Sequence, residues 1–104
     1  MLISGGENIF PEEIEYYLRR CALVEDALVL AKPNQEYGFR PVAFIKPKKN
    51  KRLSSLTLVK HLSKFLPKFK IPDAFYLWQK EVASIGVKAN RSAFHKLPIQ
   101  PRRL

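Results

Sequence analysis

The sequence predicts an α+β fold: a small antiparallel sheet flanked by helices. Three observations predict it. The chain has 104 residues, 46% hydrophobic and 27% charged, which fits one compact domain and has no room for two. Short apolar runs rich in β-forming residues alternate with stretches of helical period. A loop containing Gly38 joins two of those runs closely enough for them to pair antiparallel. The predicted order is β-α-β-β-α-β-α, which is a small α+β sandwich.

The first strand carries Ile3-Ser4 into a Gly5-Gly6 turn, where glycine suits a positive φ. Pro11 can occupy the first helical turn because its missing N–H costs nothing there, and Glu12, Glu13 and Glu15 suit the positive end of the helix dipole. A helix of about 11 residues follows. Ile14, Leu18 and Cys21 make a narrow apolar stripe at i, i+4 and i+7, and Tyr17 widens it.

Ala27 to Ala31 is an apolar run closed by Lys32-Pro33-Asn34, a strand and its turn; Arg40 to Lys46 is its partner. The bases between Lys46 and Arg52 read as a solvated loop. Ser54 or Ser55 can cap a second helix with Leu58, Val59, Leu62, Phe65 and Leu66 on one face, and Pro67 ends it. Phe75 to Trp78 fits a third strand, whose aromatic residues read as core rather than as a base-stacking platform. Arg91 to Leu97 is long enough for a last short helix before Pro98, and Ile99 to Leu104 reads as a frayed tail.

The net charge is +10, which favours an anionic partner. It is uneven: residues 1–31 carry a net −4 and residues 32–104 a net +14. A small nucleic-acid-binding domain is therefore one reading, although no helix-turn-helix, RNP or GXXG signature occurs and the bases are scattered over loops and helices. Cys21 is the only cysteine, so an intrachain disulfide and a Cys-rich zinc site are excluded. His61 and His95 lack partners at ligand spacing, so no metal site is expected. No apolar run approaches the roughly 18 residues of a membrane span, and no secretory signal opens the chain. These features predict a cytoplasmic protein with no membrane partner.

Four motifs then occur in a fixed order. Ser4-Gly5-Gly6-Glu7-Asn8-Ile9-Phe10-Pro11 is followed by Glu13-Ile14-Glu15 and Leu18; Pro33 to Ile45 contains Gly38, Pro41, Ala43 and Phe44; Leu66 precedes Phe69-Lys70-Ile71-Pro72; and Gly86-Val87-Lys88-Ala89-Asn90-Arg91 precedes Phe94. Together they resemble the C-terminal domain of the adenylate-forming enzymes: acyl-CoA synthetases, peptide-synthetase adenylation domains and luciferases. The resemblance covers about residues 2–97. It implies a mobile lid domain over 1–97, with 98–104 as tail, and a chain that begins just past the hinge on which the lid swings.

In the last motif Val87 separates Gly86 from Lys88, and Val82-Ala83-Ser84 replaces the usual Pro-Lys-Thr lead-in. This Gly-x-Lys-x-x-Arg form looks most like the 2-succinylbenzoate–CoA ligases of menaquinone biosynthesis. The resemblance implies that Lys88 is catalytic and that Ser4, Gly5 and Gly6 line the path of the coenzyme A thiol. It also implies a carboxylate, ATP and coenzyme A as substrates, with Mg2+ accompanying ATP but not bound by this domain, and a large N-terminal adenylation domain as partner. The composition alone would make Lys88 one of 19 surface bases. The glycines form no P-loop or dinucleotide fingerprint, in keeping with a nucleotide pocket on the large domain. The basic run at 46–52 has one functional option under this resemblance, contact with the phosphates of coenzyme A.

Overall fold

The computed structural model describes residues 1–78 and 102–104. Lys88, with its motif, and the helix expected over 91–97 lie outside the described residues.

Strands β1 (Leu2–Ser4) and β2 (Glu7–Ile9) form a two-residue hairpin. Gly5 and Gly6 adopt φ of 56° and 83°, and a type I′ hairpin turn needs positive φ at both central positions. Helix α1 spans Pro11–Arg19, with Pro11 at its start and Glu12 and Glu13 in its first turn. It stops two residues short of the expected length because the chain turns at Arg20-Cys21 to enter the sheet.

Strands β3 (Val24–Asn34) and β4 (Gly38–Pro47) are longer than their apolar cores and pair antiparallel from Val24↔Pro47 to Asn34↔Gly38. Helix α2 spans Ser55–Ser63. Its cap is Ser54, whose Oγ accepts from the Thr57 N–H at 3.2 Å, whereas the Ser55 hydroxyl donates to the Leu104 carbonyl. A 3-10 turn at Lys68–Lys70 leads to β5 (Phe75–Leu77).

The sheet runs β2-β1-β4-β3, and β5 joins the same edge of β4 as β1 does. β1 meets β4 at Gly38 and β5 meets it over Ala43–Ile45, so the stretch of β4 around Arg40 lies between two strands and pairs with neither. The predominantly antiparallel architecture is the one expected, with one difference. β5 is parallel to β4, because α2 crosses over the sheet between them and returns the chain to the starting end.

The helical face of the sheet holds the larger core, including Ile9, Ile14, Leu18, Val29, Ile45, Leu58, Leu62 and Phe75. Leu28, Leu30, Val42, Phe44, Ala74 and Tyr76 form a second buried cluster, with Trp78 packed against it. Both faces of β3 and β4 are thus apolar. That is why their central residues read as continuous hydrophobic runs rather than as alternation.

Two expectations are corrected here. Phe65 is not part of the buried face of α2: the helix has ended, the ring is 42% exposed, and it stacks on Tyr17 with centroids 4.8 Å apart. Arg102–Leu104 is not frayed. Leu77 N–H donates to the Arg102 carbonyl at 2.7 Å, Leu104 N–H donates to the Phe75 carbonyl at 2.9 Å, and the Leu104 side chain packs on the core. The free edge of β5 supplies backbone partners that the sequence pattern does not announce.

Glu15 does more than complement a dipole. Ala43 N–H donates to the Ala74 carbonyl and Ile45 C=O accepts from Trp78, so these residues face the β5 side. Their partners Val29 and Ala27 therefore turn their backbone groups outward from β3. Glu15, 3% exposed, accepts from Val29 N–H at 2.8 Å; Arg19 donates to the Ala27 carbonyl at 3.0 Å; and Asp26 accepts from Ala27 N–H at 2.8 Å. Side chains thus satisfy an edge that no described strand covers. Glu15→Ala removes a charge-assisted hydrogen bond from a buried N–H, and urea unfolding should register a loss of about 1–3 kcal/mol. Exposed Lys49→Ala should change stability by less than about 0.5 kcal/mol.

Candidate functional site

The turn of the first hairpin opens onto a shallow cleft of about 460 Å³. Ser4 and Gly5 form one wall, Lys68 and Phe69 of the 3-10 turn form another, and Tyr37 and Arg40 come from the β3–β4 hairpin. Local chemistry places each of them. Asn34 Oδ1 accepts from the Glu36 and Tyr37 N–H groups at 2.9 and 2.8 Å, an Asx turn that folds the hairpin loop back. The Tyr37 carbonyl then accepts from Gly5 N–H at 2.9 Å. A Cβ on Gly5 would stand 3.0 Å from Tyr37 Cδ1, whereas one on Gly6 would have no neighbour within 4 Å. The turn is closed against the tyrosine at Gly5 and open at Gly6.

Arg40 ties the walls together. Its side chain is 11% exposed, and its guanidinium makes four bonds: Nε to Asp73 Oδ1 at 2.8 Å, Nη1 to Ser4 Oγ at 3.0 Å and to the Phe69 carbonyl at 2.7 Å, and Nη2 to the Ile71 carbonyl at 3.0 Å. The planar fork meets oxygens from β1, from the 3-10 turn and from the segment entering β5, a spread that an ammonium could not span at once. Lys70 anchors the same turn to α1 through an ion pair with Glu13 at 2.8 Å. Glu36 raises the pKa of the Tyr37 phenol above its ordinary value through a hydrogen bond and its charge.

Of the residues selected from the sequence, the structure brings Ser4 and Gly5 into the cleft and puts Gly6 at the open tip of the turn beside it. Lys88 is outside the described residues. Tyr37, Arg40, Lys68, Phe69 and Asp73 were not singled out. The available signal was their position within or beside two of the four motifs, Pro33 to Ile45 and Phe69 to Pro72. Among the described residues, no three His, Cys, Asp or Glu side chains gather to hold a metal, and no helix is long and apolar enough to cross a membrane. His61 Nε2 lies 2.6 Å from the Tyr17 carbonyl, so its N–H joins α2 to α1. Cys21 is buried. The bases Lys48, Lys49, Lys51 and Arg52 are exposed, while Lys46 belongs to β4 and pairs with Glu25 at 2.8 Å.

Among the described residues the fold is thus a five-stranded mixed sheet with two helices on one face and a glycine hairpin at the mouth of a cleft. The chain belongs to the AMP-binding enzyme C-terminal domain family, whose model matches residues 13–84. Among curated proteins it is 40% identical over 77 residues to the 2-succinylbenzoate–CoA ligase of Oceanobacillus iheyensis, covering 74% of this chain and 16% of that protein. It is 42% identical over 77 residues to the enzyme of the same name from Haemophilus influenzae, covering 73% of this chain and 17% of that one. Among solved structures it superposes on a double mutant of o-succinylbenzoate CoA synthetase (MenE) from Bacillus subtilis, bound with its product analogue OSB-NCoA. That match has a TM-score of 0.77 and 28% identity, over 99% of this chain and 20% of the other. The chain thus spans less than a fifth of the length of either of these two curated relatives.

Proposed function

We propose that this domain is the mobile part of an ATP-dependent carboxylate–CoA ligase of the 2-succinylbenzoate type, acting in menaquinone biosynthesis. In this reading it closes on a large adenylation domain in two orientations. In the first, Lys88 neutralises charge developing between the substrate carboxylate and the α-phosphate of ATP. The products are acyl-adenylate and pyrophosphate. In the second, Ser4, Gly5 and Gly6 border the path by which the coenzyme A thiol reaches the acyl-adenylate, and AMP leaves. ATP and coenzyme A are substrates; Mg2+ would travel with ATP on the large domain.

The observation that carries this reading is the Gly5-Gly6 turn: positive φ at both residues, beside a cleft, with nothing near the Gly6 Cβ position. A chain as thin as pantetheine needs a bare backbone wall, and this turn offers one. The similarity to 2-succinylbenzoate–CoA ligases supports the choice of acid.

Gly6→Leu tests it in the complete ligase. A leucine there projects into the open space and is also disfavoured by about 1–2 kcal/mol at positive φ. The variant should form acyl-adenylate from 2-succinylbenzoate and ATP normally, measured by pyrophosphate release, and transfer it slowly to coenzyme A. Equal loss in both steps would mean that the turn has only a folding role.

A further inference from the structure

Arg40 is the most heavily bonded side chain beside the cleft, and none of its four bonds serves the strand that carries it. Its backbone pairs with Lys32 of β3; on the other edge of β4 this stretch lies between β1 and β5, where Pro41 C=O accepts from Asp73 N–H at 2.9 Å but the strand ladder has a gap. Its guanidinium fills that gap, reaching Ser4 on one side and Phe69, Ile71 and Asp73 on the other. Ser4 and Phe69 stand on opposite walls of the cleft and both are bonded by the same nitrogen, Nη1, at 3.0 and 2.7 Å. One rigid planar group therefore sets the distance between the glycine turn and the 3-10 turn.

We infer that Arg40 is a positioning residue for thioester formation: it holds the Ser4-Gly5 wall and the Lys68-Phe69 wall at the separation that admits the pantetheine arm, and it has no part in adenylation. The inference rests on the reading that the glycine turn borders the thiol path. Losing the link leaves the glycine turn tied to the β3–β4 hairpin by one register position and the Gly5–Tyr37 hydrogen bond, and the 3-10 turn tied to α1 by the Lys70–Glu13 ion pair, with nothing among the described residues fixing one wall against the other. A displacement near 1 Å at such a wall can cost on the order of 100-fold in rate or apparent affinity.

The test separates the half-reactions of the complete ligase in Arg40→Ala, Arg40→Lys and Ser4→Ala, with thermal unfolding recorded for each. Arg40→Ala should raise KM for coenzyme A by about 10–100-fold and leave pyrophosphate release from 2-succinylbenzoate and ATP near the parent rate. Arg40→Lys keeps a charge opposite Asp73, but its single nitrogen lacks the fixed fork in which Nε bonds Asp73 while Nη1 holds Ser4 and Phe69. It should therefore recover the midpoint of unfolding without recovering KM. Ser4→Ala removes one link of the four and leaves the fold intact, so it decides the matter if Arg40→Ala does not fold; its KM for coenzyme A should rise while its midpoint stays.

Recovery of KM and midpoint together in Arg40→Lys would overturn the inference, as would equal losses in both half-reactions or an unchanged KM in Ser4→Ala. Gly6→Leu distinguishes the two levels. If it slows thioester formation while the Arg40 variants do not, the positioning role fails and the thiol-path reading stands. If Gly6→Leu leaves thioester formation at the parent rate, the thiol-path reading itself fails.

Discussion

Lys88→Ala in the complete ligase is expected to lose adenylation by about 10²–10³-fold, the usual cost of deleting one preorganised charge or donor from a transition state. The expectation rests on the reading of Lys88 as the group that meets the carboxylate and α-phosphate while both carry negative charge. A primary ammonium on a four-carbon stem suits that task because it is a compact charge that a flexible stem can bring to the reacting atoms. The loss should be confined to one step. Given preformed acyl-adenylate of 2-succinylbenzoate and coenzyme A, the variant should make thioester at nearly the parent rate, because in the proposed second orientation the lysine would have left the site. Lys80→Ala and Lys96→Ala serve as controls and should alter either step little. Intact adenylation in Lys88→Ala, or comparable damage in Lys80→Ala, would mean that the displaced glycine of the Gly-x-Lys motif changes which base is used.

Phe75→Ala is expected to cost the isolated domain about 3–5 kcal/mol, the range for deleting a fully buried phenylalanine. Phe75 is 2% exposed and sits in the main core on β5, a strand of three residues. It stands in register with Ala43 of β4, whose N–H donates to the preceding Ala74 carbonyl, while its own carbonyl accepts from Leu104 N–H. The side chain is thus what fastens a short strand, and the terminal residues beyond it, to the sheet. Domains of this size have total stabilities of about 5–15 kcal/mol, so the loss is a large share of what exists. Urea unfolding followed by circular dichroism reads it directly. Leu56→Ala, at a position 62% exposed, should shift the midpoint by less than about 0.5 kcal/mol. A shift as small for Phe75 would mean that β5 is not part of the cooperative unit.

Much of the fold was legible because its signals are local. Pro11 with three glutamates behind it, the helical spacing of Ile14 and Leu18, the apolar runs of β3 and β4, Pro67 after α2 and the Gly5-Gly6 turn each report on a few neighbouring residues, where sterics and burial leave few alternatives. The first member of the candidate site was readable for the same reason: two adjacent glycines after a strand already specify a bare turn.

The sequence by itself determined the class, an α+β domain of the AMP-binding enzyme C-terminal family, together with its helices, its central hairpin and the glycine turn. Tertiary structure alone decided the rest. That β5 runs parallel to β4 depends on the path of α2 across the sheet, which no residue of β5 encodes. That Glu15 caps Val29 and that Arg102 to Leu104 pair with β5 depends on which backbone groups the register leaves facing outward. That Arg40, among the bases of the described residues, joins the two walls of the cleft depends on a gap in strand pairing, with partners 29 to 36 residues away in sequence. Hydrophobic period and turn chemistry act over one to four residues, whereas a hydrogen bond needs only two groups within about 3 Å. Which distant groups come that close is settled when the sheet closes.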